Sequence, residues 1–294
     1  MSTAEEFALW RERVDAFLSD ALPSSEVAPV KLHSAMRHAV MLGGKRMRPL
    51  LAYAAAQAVN SDVDLALVDP AASAVEFVHA YSLVHDDLPC MDDDELRRGQ
   101  PTVHVKFDEG TAVLTGDALQ TLAFETIADA AWPADIKVRV LQSLAKASGV
   151  RGMCGGQALD LDATGQRISL DQLRQLHSMK TGALIVSAIE MGALLAGATH
   201  QQLTTLQDFA KDLGVAFQIR DDILDIESDS ETLGKTAGKD VEQDKSTYPA
   251  LLGLNESKAL LEEIFGRMKK TLEPFGPSAQ ALLALAELTV RRAN

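Results

Sequence analysis

The chain has 294 residues, of which 47% are hydrophobic, and a formal net charge of −14. The length fits one large domain or two ordinary ones. The negative charge argues against nucleic acid or an anionic membrane as a partner, because both need a basic footprint. Cys90 and Cys154 give no disulfide framework, and the sequence shows no signal peptide and no apolar run of membrane-spanning length. We expect a soluble, cytoplasmic protein without stable membrane insertion.

The secondary-structure signals are almost entirely helical, which predicts an all-α protein. Helix-forming residues dominate, aromatic residues make up 5%, and no alternating strand pattern occurs. The first predicted helix begins after a Thr3 cap and ends before Pro23. Later helices cover 30–42, 118–131, 136–148, 170–179, 182–196 and 200–226. No linker divides them, and the glycine-rich stretch 149–156 is read as a helix kink, so we expect a single domain over residues 1–294.

A cationic segment, GGKRMRP at 43–49, follows the second predicted helix. The glycines can end one helix and Pro49 can start the next. Lys45 and Arg48, close to a helix amino end, are suited to binding an anion. The alternative is a basic interhelical loop in an otherwise acidic protein.

An acidic stretch ends the apolar helix that contains residues 76–84. Its carboxylates are Asp86, Asp87, Asp92, Asp93, Asp94 and Glu95. Two carboxylates about 5 Å apart repel by roughly 3 kcal/mol at an effective dielectric near 20, so the cluster calls for a cation. Oxygen ligands suit Mg²⁺, which is normally shared between carboxylates and substrate phosphates. Arg97 and Arg98, just downstream, are natural phosphate donors.

The alternative for this stretch is a solvated acidic loop. The helix before it is apolar on most of its circumference, which predicts that its carboxyl end is buried or lines a cavity. Pro89 cannot continue the helix, so the helix should stop near Leu88 and let Asp92 return toward Asp86.

A second acidic cluster, QIRDDILD at 218–225, ends another long apolar helix. Asp221 and Asp225 are four residues apart, hence on one helix face about 6 Å apart along the axis, where they can share an ion. A cationic loop containing Lys235 follows, with Lys245 beyond it. The order of the first cluster is thus repeated: apolar helix, carboxylates, cations.

With these motifs the chain resembles the trans-prenyl diphosphate synthases, most closely the bacterial farnesyl diphosphate synthases (geranyltransferases). The matching motifs span nearly the whole chain: GGKRMRP at 43–49, His79, DDLPCMDDDELRRGQPT at 86–102, GDAL at 116–119, GGQALD at 155–160, Lys180-Thr181, QIRDDILD at 218–225 and GKTAGKD at 234–240. The resemblance implies a bundle of about ten or more helices around a deep central cavity. It also implies a Mg²⁺-dependent prenyltransferase that condenses isopentenyl diphosphate with dimethylallyl or geranyl diphosphate to give farnesyl diphosphate in isoprenoid biosynthesis.

The resemblance further implies a role for each matched residue. Mg²⁺, as three ions for which Mn²⁺ can substitute, is expected at Asp86, Asp92 and Asp221, with Asp87 and Asp225 nearby. The expected ligands of the allylic diphosphate are Arg97, Lys180, Thr181, Gln218, Lys235 and Lys245. Those of isopentenyl diphosphate are Lys45, Arg48, His79 and Arg98. The expected catalytic residues are Lys180, Thr181, Gln218 and Arg97, with Thr181 and Gln218 offering dipoles to an allylic cation.

Several residues also have simpler structural interpretations. His79 fits the pattern of a satisfied core histidine, and Asp160 and Gln157 can simply fix a helix kink, so the last two are left out of the catalytic set. Arg291 and Arg292, near the end of the chain, are most simply solvated, although in similar enzymes a basic terminus can close over the site.

Helical spacing predicts where the product chain stops. Ser82 is four residues before Asp86, on nearly the same face, and is small enough to let a chain pass. Tyr81 lies about 7.5 Å below Asp86 and is rotated by roughly 140° from it, so its ring can form a floor. Val78 and Phe77 lie deeper. A floor at this depth predicts a farnesyl product.

Four alternatives remain. A geranyl or geranylgeranyl diphosphate synthase would share the diphosphate chemistry and differ in the pocket floor. A class I terpene cyclase would not need GGKRMRP, and a non-catalytic subunit of a heteromeric synthase should have lost an acidic cluster. A ferritin-like bundle would show Glu-x-x-His motifs on two helices, and the sequence has only one such motif, at Glu76–His79. The small and apolar surfaces of residues 71–84 and 112–131 predict a two-fold homodimer.

Overall fold

The structure, a computed structural model, describes residues 2–227 and 246–292 and confirms the all-α prediction. Its helices are α1 (Thr3–Ala21), α2 (Val30–Met41), α3 (Met47–Val59), α4 (Asp69–Asp86), α5 (Val103–Lys106), α6 (Glu109–Asp129), α7 (Ala134–Ser148), α8 (Met153–Ala163), α9 (Leu170–His177), α10 (Ala183–Leu195), α11 (His200–Glu227), α12 (Tyr248–Leu252), α13 (Leu254–Leu272) and α14 (Gln280–Arg291). Short 3₁₀ segments occur at Leu65–Leu67 and Glu273–Ala279, and a π-helical turn, Ser178–Gly182, joins α9 to α10. A two-residue antiparallel hairpin, β1 (Leu96–Arg97) with β2 (Gln100–Pro101), was not predicted.

Several predicted helix boundaries were wrong, and helix capping explains two of them. Ser2, rather than Thr3, caps α1: its hydroxyl accepts from the backbone N–H of Glu5, whose carboxylate accepts from the Ser2 N–H. Helix α6 begins at Glu109, well before residue 118, because Asp108 accepts from the N–H of Thr111 at 2.6 Å. The stretch 149–156 is not a kinked helix: α7 ends at Ser148, and α8 begins at Met153 after a turn.

Helices α4 and α10 form the centre of the core. Helix α4 packs against α1, α3, α6 and α10, and α10 packs against α3, α7 and α11. Their small and β-branched residues, such as Ala71, Val75 and Ala188, are fully buried. By length and composition Leu170–Leu195 could cross a membrane, but 56% of its most apolar window is buried inside the protein, and buried core helices pass the same test. The buried central helix α4 therefore brings its acidic end to an interior cavity.

Candidate active site

The chain folds back on itself where α4 ends. The backbone N–H of Asp92 donates to the carbonyl of Asp86 at 2.8 Å, and the N–H of Asp94 donates to that of Asp87 at 3.2 Å. The residue between them, Asp93, has a φ of 52°, a conformation that short polar side chains tolerate better than most. The predicted return of Asp92 toward Asp86 is confirmed.

Asp86 lies in a setting that favours a cation. Burial raises the pKa of its carboxyl to about 6; neighbouring Asp92 and Asp87 add to this effect, while Lys180 and Arg97 oppose it. The lysine and arginine therefore do not fully offset the burial of this carboxylate and the charges of its neighbours. A hard divalent cation suits such a set of oxygen donors.

Asp87 and Arg97 bind each other. The Nε atom of Arg97 lies 2.9 Å from both carboxylate oxygens of Asp87, and Nη2 lies 2.5 Å from one of them. Asp87 is only 3% exposed. Asp87 therefore orients Arg97. The sequence predicted a metal ligand at Asp87 and did not predict this ion pair.

The cationic segment 43–49 lies against Arg98. A side chain on Gly44 would come within 2.8 Å of the Arg98 guanidinium, so the missing Cβ lets Arg98 lie against this loop. His79, two turns before the end of α4, lies among the arginines: burial and then Arg48 and Arg98 hold its pKa well below its ordinary value. A neutral His79 can donate to a phosphate oxygen from one ring nitrogen and accept at the other. Three of the four residues predicted for isopentenyl diphosphate thus form one cluster.

Lys45, the fourth of these residues, lies nearer the second acidic cluster. Burial lowers its pKa, Arg292 lowers it further, and Asp221 opposes the shift. Lys45 therefore extends from the segment 43–49 toward Asp221 of α11.

Lys180 and Thr181 lie on the π-helical turn. The Nζ atom of Lys180 lies 2.6 Å from a carboxylate oxygen of Asp160 on α8. A Cβ on Gly156 would lie 2.2 Å from the backbone nitrogen of Lys180, so only glycine permits this close approach of α8. Asp160 is thus the ion-pair partner of Lys180, not merely a residue at a kink.

The second acidic cluster has one structural member and two candidate ligands. Asp222 accepts a hydrogen bond from the backbone N–H of Tyr248 at 2.8 Å, which ties α11 to α12. Asp221 and Asp225 stay on one face of α11, with Asp225 8% exposed. Gln218 is half-buried one turn before Asp221.

Arg292 is not solvated, so the simpler of the two expectations for it was wrong. Its Nη2 donates to Asp221 at 2.7 Å, and its guanidinium lies 4.0 Å from the ring centroid of Phe217. Arg220 in turn donates to the carbonyl of Arg292 at 2.9 Å. Arg291 does lie on the surface, paired with Glu262. No local pattern links residue 292 to residue 221, so the contact follows only from the packing of α11 against α14.

A cavity of about 360 Å³ opens beneath Asp86. Tyr81 and Ser82 line it, as the helical spacing predicted, and the Tyr81 ring is 7% exposed and 5.8 Å from that of His85. The opposite wall comes from α8 and was not predicted: Met153, Cys154, Gln157, Ala158 and Leu161. Their spacing of three and four residues along one helix face is the signal that could have revealed them.

Lys235 and Lys245 lie outside the described residues. Within residues 2–227 and 246–292, no three His, Cys, Asp or Glu side chains are grouped so as to hold a metal ion by themselves. Mg²⁺ commonly takes only one or two carboxylates and completes its octahedron with water and substrate phosphates, so the separated walls of this site fit that ion.

Comparison with known proteins identifies the family. The polyprenyl synthetase profile matches residues 29–276. The chain is 48% identical over 264 residues to the farnesyl diphosphate synthase of Escherichia coli K12, covering 87% of this chain and 88% of that one. It is 44% identical over 292 residues to the farnesyl diphosphate synthase of Haemophilus influenzae, covering 98% of each. The crystal structure of an FPP/GFPP synthase from Zymomonas mobilis superposes with a TM-score of 0.87 at 36% identity and 98% coverage of both chains.

Proposed function

Because this chain belongs to the polyprenyl synthetase family, we propose that it condenses isopentenyl diphosphate with dimethylallyl and geranyl diphosphate to give farnesyl diphosphate. The observation that carries the proposal is the arrangement of two anion-binding regions around one cavity. The Asp86 and Lys180 side chains line this cavity, and so do Arg48 and His79 from the cationic cluster. A terpene cyclase binds one diphosphate and has no use for the second region.

Three Mg²⁺ ions are proposed, with Asp86, Asp92 and Asp221 as their principal ligands and Asp87 and Asp225 in support. When bound, the metal neutralises the diphosphate and so stabilises its departure. The Asp87 carboxylate orients the Arg97 guanidinium toward the same diphosphate, since Asp87 binds Nε and Nη2 and leaves Nη1 of Arg97 for the substrate.

Lys180 and Arg97 hold the leaving diphosphate as its C–O bond breaks. The Asp160 carboxylate keeps Lys180 in place and favours its charged form. Thr181 and Gln218, with the carbonyl groups of the π-helical turn, face the allylic cation with dipoles rather than strong nucleophiles. The terminal alkene carbon C4 of isopentenyl diphosphate forms the new C–C bond, which leaves the positive charge on C3. A proton then passes from C2 to the departed diphosphate, and its bonding electrons form the C2=C3 double bond of the product.

Arg48, Arg98, His79 and Lys45 hold the diphosphate of isopentenyl diphosphate and so orient its alkene. The growing chain extends along α4 until Tyr81 stops it, which favours farnesyl over longer products. Geranyl and geranylgeranyl diphosphate are the alternative products, since only the pocket floor separates them.

Three statements about the whole molecule belong to the same proposal. Residues 1–294 form one domain, the protein is a homodimer, and it works in the cytoplasm without stable membrane insertion or nucleic acid. One core cluster contains buried apolar residues from every helix except α5, and this supports the first statement.

Incubation with isopentenyl diphosphate and each allylic diphosphate, followed by mass spectrometry, tests the function. We expect farnesyl diphosphate from dimethylallyl and geranyl diphosphate, loss of turnover in excess chelator, and recovery with Mg²⁺ or Mn²⁺. Asp86→Ala should lower kcat by at least about a hundredfold, as for other preorganised electrostatic groups. Full turnover in chelator would contradict the metal assignment, and absence of any condensed product would contradict the proposed function.

A further inference from the structure

We propose that Arg46 and Glu76 form a buried ion pair that positions the isopentenyl diphosphate site, with Arg46 acting as a positioning residue rather than a ligand. This inference rests on the proposed function. Arg46 lies within GGKRMRP, between Lys45 and Arg48, but its Nη1 atom points into the protein and lies 2.9 Å from a Glu76 carboxylate oxygen. The side chains are 2% and 4% exposed, so water screens the pair little.

All three nitrogen atoms of the Arg46 guanidinium are used inside the protein. Nε donates to Asp15 on α1 at 2.8 Å, and Nη2 donates to the carbonyl of Val40 on α2 at 2.8 Å. With the bond to Glu76 on α4, one side chain joins three helices. In contrast, Arg48 lines the cavity, and its buried Nε has no hydrogen-bond partner within the described residues.

The backbone at Arg46 requires such an anchor. Its φ of 49° and ψ of 37° are left-handed, a conformation that residues with a side chain rarely adopt. Gly43 and Gly44 also have positive φ angles. A turn built from these conformations presents Lys45 and Arg48 in a fixed direction only if something restrains it, and the Arg46 side chain supplies that restraint.

Glu76 links this turn to the metal-binding end of α4. It lies one turn before His79 on the same helix and also favours the charged forms of Arg48 and Arg98. It is therefore the buried counter-charge among the arginines of the cationic cluster. Because α4 is rigid and continues to Asp86, the pair fixes the distance between the isopentenyl diphosphate site and the aspartates.

The test compares this pair with a more exposed ion pair that also joins α1 to α4. Glu76→Gln, Arg46→Met and the double variant remove the proposed restraint. Arg13→Met and Asp69→Asn are the controls, because Arg13 also joins α1 to α4 through two bonds to Asp69, of 2.6 and 2.7 Å, away from the cationic turn. Each variant is assayed for Tm and for KM and kcat with both substrates.

We expect Glu76→Gln and Arg46→Met to raise KM for isopentenyl diphosphate by about tenfold or more while changing KM for geranyl diphosphate by less than about twofold. The double variant should be no worse than the worse single variant, because the two groups act as a unit. The control variants should lower Tm and leave both KM values unchanged.

If the buried variants do not fold, Asp15→Asn removes only the half-exposed partner of Arg46 and should raise the same KM by a smaller factor. The inference is overturned if Glu76→Gln lowers Tm as the controls do without raising KM for isopentenyl diphosphate, or if both KM values rise equally. In either case an active wild-type enzyme would leave the proposed function standing. An inactive wild-type enzyme would instead overturn the proposed function.

Discussion

Under the proposed function, Tyr81 is the residue that sets product length. Its ring is buried in the cavity wall, and His85 packs against it edge-on. Burial raises the pKa of its hydroxyl group, so the floor stays uncharged at neutral pH. A buried aromatic ring is costly to displace, and this makes the floor rigid.

Tyr81→Ala should open the pocket by about the volume of the ring and shift the product from farnesyl toward geranylgeranyl diphosphate and longer chains. Tyr81→Phe keeps the ring and should keep the farnesyl product. Metal dependence should be the same in both variants. Mass spectrometry of the products measures the chain length. An unchanged product from Tyr81→Ala would contradict the role of Tyr81 and indicate that Phe77 or the α8 wall forms the floor.

His177 illustrates how a buried residue couples stability to pH. It lies at the end of α9 with its ring 5.7 Å from that of Tyr248, and burial lowers its pKa to about 4, with Asp160 raising it and Lys180 lowering it further. The unfolded chain, in which this pKa returns to about 6.5, binds more protons between these two values. Stability from the neutral ring is therefore complete above pH ~6.5 and is lost as the pH falls toward 4.

Between pH 7 and pH 5 we expect the wild-type protein to lose roughly 2 kcal/mol of unfolding free energy through this residue alone. His177→Gln lacks the titrating ring and should not show that part of the loss. Urea denaturation of both proteins at the two pH values measures the difference. Parallel pH dependence in the two proteins would contradict a depressed His177 pKa.

The π-helical turn between α9 and α10 depends on the close packing of α8 against it. A π-helical turn is rare and is found most often at functional sites, and here it carries Lys180 and Thr181. Gly156 of α8 lies against it so closely that a Cβ would be 2.2 Å from the Lys180 nitrogen. Because Gly156 has no side chain, α8 can pack this closely against the turn.

Gly156→Ala should push α8 away from the turn, misplace Lys180 and lower kcat by at least about tenfold. Gly266→Ala is the matched control, since its Cβ would meet nothing within 4 Å inside α13. That control should stabilise the protein by about 0.5–1 kcal/mol and leave kcat unchanged. Equal kinetics in the two variants would contradict the importance of this contact.

At the scale of the whole molecule, the structure changes which surface is available for the interface of the predicted homodimer. Residues 71–84 of α4, which we expected at a subunit interface, are nearly all buried within the chain itself. Helix α6 keeps an exposed apolar surface that includes Val113 at 42% and Leu114 at 57% exposure. An interface through α6 is the form of the dimer prediction that agrees with the fold.

Light scattering of the purified protein at micromolar concentration should give the mass of two chains. Leu114→Glu would place an unpaired charge in the interface and should shift the mass toward one chain. Val150→Glu, at an 80% exposed position between α7 and α8, should leave the mass unchanged. A wild-type monomer with full activity would contradict the dimer proposal.

The sequence by itself determined the class, most helices and both aspartate clusters. Apolar periodicity, caps and helix-breaking prolines act within a few residues, so the end of α4 and the return of Asp92 toward Asp86 could be predicted from Pro89 and its neighbours. Tyr81 was placed in the cavity wall by the same reasoning, because positions along one helix have a fixed geometry.

Only the tertiary structure decided which charges bind each other. Asp87 with Arg97, Asp160 with Lys180, Arg46 with Glu76 and Arg292 with Asp221 are pairs between separate elements. A sequence shows that such charges exist, but their partners depend on how helices cross and on which glycines let them approach. The bonding of a buried charge is set by the low-dielectric surroundings that packing creates, and no local pattern carries that information.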